Sequence, residues 1–72
     1  MSSLTVSDVQ PRAQEALAAS PIHALRDLRV DQLGDTLQIR GRVSSFYHKQ
    51  LAQEAVLAVA EGVQVVNTIV VR

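Results

Sequence analysis

Apolar residues change their spacing along the chain, and each change marks an element. Val9, Ala13, Ala16 and Leu17 recur at helical intervals and form one stripe, so a helix is expected from Ser7 or Gln10 to about Ser20. Ser7 followed by Gln10 fits a capping box, whereas Pro11 sits best as the first helical residue, which would move the start to Gln10. Pro21 closes the segment, because the residue before a proline avoids helical angles. Between Ile22 and Leu33 the period shortens. Leu28 and Val30 alternate with Asp27, Arg29 and Asp31, which reads as a half-buried strand. Gly34-Asp35 is a two-residue hairpin turn, after which Leu37, Ile39, Gly41 and Val43 alternate with Gln38, Arg40 and Arg42.

The turn sets the register. Leu33 should face Thr36, Val30 should face Ile39 and Leu28 should face Gly41, so apolar positions meet apolar ones. The other face pairs Asp27 with Arg42 and Arg29 with Arg40. The second pair is like-charged and relieved by Asp27 and Asp31 on its diagonals. Ser44-Ser45 then offers a cap for a second helix from Phe46 to Glu61, with Gly62 as its stop. Tyr47, Leu51, Ala52, Ala55, Val56, Ala58 and Val59 are expected on its core side, with His48 on the flank. Val63 to Val71 is rich in β-branched residues and predicts a third strand.

Helix, strand, strand, helix, strand is an α+β order. The second strand, second helix and third strand form a right-handed crossover with parallel strands, and the first two strands form an antiparallel hairpin. The expected architecture is a two-layer αββαβ sandwich: a mixed three-stranded sheet with both helices on one face and the charged face of the hairpin left to solvent.

Length and composition narrow the function. The chain has 72 residues, enough for one domain, and its core must come from Val, Leu, Ile and Ala because it holds one Phe, one Tyr and no Trp. Seven basic residues match seven acidic ones, so no basic surplus points to nucleic acid, and no cysteine is present. Residues 1–6 read as a flexible leader before a domain at 7–72. The opening has neither the basic start nor the apolar run of an export signal, and no stretch could span a bilayer. As written, the chain is expected in the cytoplasm. His23 and His48 lie on different elements, with no nucleophile arrangement, phosphate loop or metal-ligand spacing around them. No catalytic residue, metal or cofactor is expected.

Gly34, Leu37, Ile39, Gly41, Val43 and Ser45, then Ala52 and Ala55, then Gly62-Val63, Val66-Asn67, Ile69 and Val71, form a pattern that resembles the BON domain family. The closing Gly-Val-x-x-Val-Asn-x-Ile-x-Val segment is its most specific part. The resemblance implies an αββαβ sandwich acting as a small, single-domain, non-catalytic binding module. It also implies a bacterial, periplasmic or envelope setting if the chain is an excised fragment, with links to osmotic stress response and to phospholipid binding. Gly41, Gly62 and Asn67 have plain physical readings as well: a missing side chain opposite Leu28 that allows close helix packing, a helix stop, and a side chain that bonds nearby backbone.

The candidate contact lies on the second helix. Its polar side carries Lys49, Gln50, Gln53, Glu54 and Glu61, and Phe46 and Leu57 fall on that side too. Phe46, Lys49, Gln53 and Leu57 are therefore the expected site for a partner protein or an anionic phospholipid head group. The alternative is that Phe46 folds back over the core and Leu57 is a scattered surface leucine. Two other surfaces compete. The third strand leaves two valines outward and, at a sheet edge, would pair with a second copy to give a homo-oligomer. Arg29, Arg40 and Arg42 on the open hairpin face would hold a small anion or nucleic acid, with affinity falling steeply in salt.

Overall fold

The hairpin forms in the register its turn dictates. β1 (Arg29–Leu33) and β2 (Thr36–Arg40) are antiparallel, with Leu33 opposite Thr36 and Val30 opposite Ile39. Gly34 takes φ +60° and no non-glycine residue among the described residues has positive φ, the signature of a II′ turn that matches strand twist. Arg29 faces Arg40, and Asp31 relieves that pair by an ion pair to Arg40 Nε. These residues belong to a computed structural model that describes residues 6–72. The expected leader at 1–6 lies outside the described residues except for Val6, which is already helical.

The remaining strands are β3 (Arg42–Val43), β4 (Gln64–Asn67) and β5 (Val70–Val71). β4 runs parallel beside β2, and β5 runs parallel beside β3. Both pairs keep one offset, Thr36 facing Gln64 and Arg42 facing Val70. Backbone N–H groups of Thr68, Val70 and Arg72 donate to Ile39, Gly41 and Val43 at 3.0, 2.9 and 2.8 Å. The third strand is thus one ladder with a break, and the sheet order β1-β2-β4 puts β2 in the centre. The break follows Gly41, whose φ is +140°. A Cβ there would lie 2.5 Å from Leu28 Cδ2, so the close neighbour that requires glycine is Leu28 and not a helix.

Both long helices cover the same sheet face. The core joins Val9, Ala13 and Leu17 of α1 (Val6–Ala18) to Val30, Leu37 and Ile39 of the hairpin, and to Ala52 and Val56 of α3 (Phe46–Leu57). A short α2 (His23–Arg26), not expected from the sequence, sends Leu25 into this core. The strand read from Leu28 therefore begins only at Arg29. Pro11 lies inside α1 and is not its first residue, and Ser7 is helical and not the cap. α3 starts as expected, with Ser45 Oγ accepting from His48 N at 3.2 Å. It ends at Leu57, four residues before the expected Glu61. Val59 and Ala60 donate to Val56 and Leu57, three residues back, and this tightening turns Ala60 into the core. Gly62, at φ +82°, closes the turn that follows and not the helix itself.

The two sheet edges are treated differently. Gln14 lies along the outer edge of β1, donating to Leu28 O at 2.9 Å and accepting from Val30 N at 2.8 Å. Gln10 donates to Val30 O at 2.6 Å, so it serves this edge and not a capping box. A glutamine pair thus supplies what a further strand would supply. Gln14→Ala should cost about 1–3 kcal/mol, because two backbone groups lose their partners. Hydrogen exchange at the Val30 amide checks this: faster exchange is expected, and unchanged protection would refute the edge role.

Candidate functional site

α3 places its exposed apolar residues beside the other edge. Phe46 and Leu57 are separated by eleven residues, about three turns, and so point within about 20° of each other. Phe46 is 74% exposed and Leu57 50% exposed. Phe46 therefore does not fold back over the core. The two bound a groove of about 460 Å³ whose wall also holds Lys49, Gln50, Gln53, Glu54 and Asn67. All four expected site residues, Phe46, Lys49, Gln53 and Leu57, meet here.

Asn67 joins helix to strand. Its Nδ2 donates to Lys49 O at 3.0 Å and to Gln53 Oε1 at 3.2 Å, while its Oδ1 accepts from Ile69 N at 3.1 Å. The expectation that this asparagine bonds nearby backbone is met, and it also fixes the groove floor. Gln50 donates to Glu54 Oε2 at 3.1 Å on the upper wall. The groove carries one cation, Lys49, and one anion, Glu54, so it presents no net charge.

The outer side of the groove is the free edge of β4. Because Thr68, Val70 and Arg72 turn their N–H groups to the ladder, the intervening Ile69 and Val71 turn theirs the other way, and the same alternation carries back to Asn67 and Val65. Ile69 N finds Asn67 Oδ1. No strand lies beyond β4 among the described residues. On the open sheet face Val66 and Val70 point outward, as the alternation predicts for two valines.

Other expected positions fall elsewhere. Tyr47 was expected on the core side of α3 but is 68% exposed, and Ala58 is exposed with it. The core side centres on Ala52 and Val56, and Tyr47 lies about 180° from Val56. His48 is half-buried on the flank. Its Nδ1 is covered and has no hydrogen-bond partner among the described residues. Arg29, Arg40 and Arg42 share the open face, but Arg40 is committed to Asp31 and Arg42 stands apart beside Gly41, Val70 and Arg72. Arg72 joins Arg42 on this face, and only the register of β5 against β3 places it there.

Compared with models of known protein families and with characterised protein sequences, the chain matches none. No helix is long and apolar enough to cross a membrane among the described residues.

Proposed function

We propose that this chain is a non-catalytic, BON-type interaction module that docks a partner protein along the groove between α3 and β4. The carrying observation is the line of exposed Phe46, Gln53 and Leu57 running parallel to an open strand edge. Two apolar anchors flanked by neutral amides suit a protein surface. An anionic phospholipid head group is the poorer fit, because Glu54 offsets Lys49 in the same groove. The αββαβ order and the closing Gly-Val-x-x-Val-Asn-x-Ile-x-Val spacing support the BON assignment.

Phe46→Ser combined with Leu57→Ser tests the site. Both side chains are exposed, so the double variant should keep the wild-type circular dichroism and lose no more than about 1 kcal/mol of stability. Unfolding of the variant would show that these residues serve the core. Amide shifts on adding anionic and neutral phospholipid vesicles supply the second check. No shift with either is expected. Shifts on α3 with anionic vesicles alone would replace the protein partner with a head group.

A further inference from the structure

We infer that the partner seated in this groove is a second copy of the chain, joined about a two-fold axis by β4 to β4 and α3 to α3. The inference rests on the groove being the contact surface. Its first support is the contrast between the sheet edges. Gln10 and Gln14 close the β1 edge, whereas β4 presents unpaired backbone positions to an incoming strand.

The second support is the order of residues along the exposed flank of α3. A two-fold axis perpendicular to the sheet makes the two α3 helices antiparallel, so residues equidistant from the helix midpoint meet across it. That midpoint falls between Leu51 and Ala52. Phe46 then meets the partner's Leu57, and Gln50 meets the partner's Gln53. Lys49 stands level with the partner's Glu54. Apolar groups meet apolar groups, amides meet amides, and charges of opposite sign stand at one height.

The third support is that helix and strand share the axis. Asn67 bonds to Lys49 O and to Gln53 Oε1, which straddle the same midpoint. An axis near Asn67, the last residue of β4, sets 64–66 of one copy antiparallel to 68–70 of the other, beneath the antiparallel α3 pairing. The product is one six-stranded sheet with its helices on one face. The contact is one strand and one helix flank per copy, so the dimer belongs to the weak, concentration-dependent class.

The chain has no cysteine, which makes disulfide trapping clean. Phe46→Cys and Leu57→Cys are prepared as separate single variants, mixed and oxidised. Across the proposed axis the two positions face each other. Position 46 of one copy lies about 16 Å along the helix from position 46 of the other, beyond the roughly 7 Å that a disulfide spans. Covalent dimer is expected in the mixture at roughly ten times the yield of either variant alone. Equal yields, or none in the mixture, would overturn the pairing.

A dilution series of the labelled wild type from about 1 mM to about 10 μM, the range of weak contacts, reads the same contact. Shifts that change with concentration at 46–57 and 64–70 are expected. No change would exclude a second copy and leave the groove to another partner, which the folded Phe46→Ser, Leu57→Ser variant tests independently. Changes confined to the arginine face would overturn both readings.

Discussion

Leu37→Ala should lower stability by about 3–5 kcal/mol, the upper part of the range for buried leucines. Leu37 is fully buried on the central strand, between Gln32 of β1 and Val65 of β4 in the ladder. Neighbours on both sides are pinned by backbone pairing, so the cavity cannot collapse. A chain of this length is expected to have about 4–11 kcal/mol in total, at the usual stability per residue. The substitution therefore removes a large part of it. Urea unfolding followed by circular dichroism gives the value. A loss below about 1 kcal/mol would mean that the core repacks around the site and that β2 is not its rigid centre.

Gly41→Ala should cost about 2–4 kcal/mol, from two separable sources. One is the backbone, held at φ +140°, which side chains rarely adopt. The other is the collision with Leu28 Cδ2, 2.5 Å from the new methyl carbon. A double-mutant cycle with Leu28→Ala separates them. In the Leu28→Ala background the methyl group has room, so the cost of Gly41→Ala should fall by about 1–2 kcal/mol, leaving the backbone part. Strict additivity would show that the backbone alone requires glycine and that the Leu28 contact is incidental.

The two substitutions probe different kinds of information. Leu37 announces its burial through simple alternation with Gln38, and the turn at Gly34-Asp35 then fixes its height against β1. Gly41 required the register before its partner could be named. The register correctly placed Leu28 opposite it, but attributed the close approach to a helix. The groove residues were legible for a similar reason: a helical wheel puts Phe46 and Leu57 on one line with Gln53 whatever the helix packs against. Gln50 and Glu54 fall on the same side by the same wheel, and only Asn67 joined them once β4 was placed.

Errors cluster where non-local contacts outweigh local preference. Gln10 looked like part of a cap, but an unpaired strand edge offered its amide a better acceptor at Val30. Pro11 looked like a helix start, but the packing of Val9 draws the helix back past it. Tyr47 looked like core because it borders the apolar arc, and α3 rolled instead to centre Ala52 and Val56 on the sheet. α3 also stopped early, trading regular hydrogen bonds for the burial of Ala60.

Element order, hairpin register and the exposed line on α3 were written into the chain itself, because alternation, turn geometry and helical pitch involve residues close in sequence. Which sheet edge is closed and which is open was not. That depends on side chains of α1 reaching residues 14 to 20 positions away, and on β4 settling at the far side of β2. Strand addition requires backbone groups without partners, and only the assembled fold determines which groups those are.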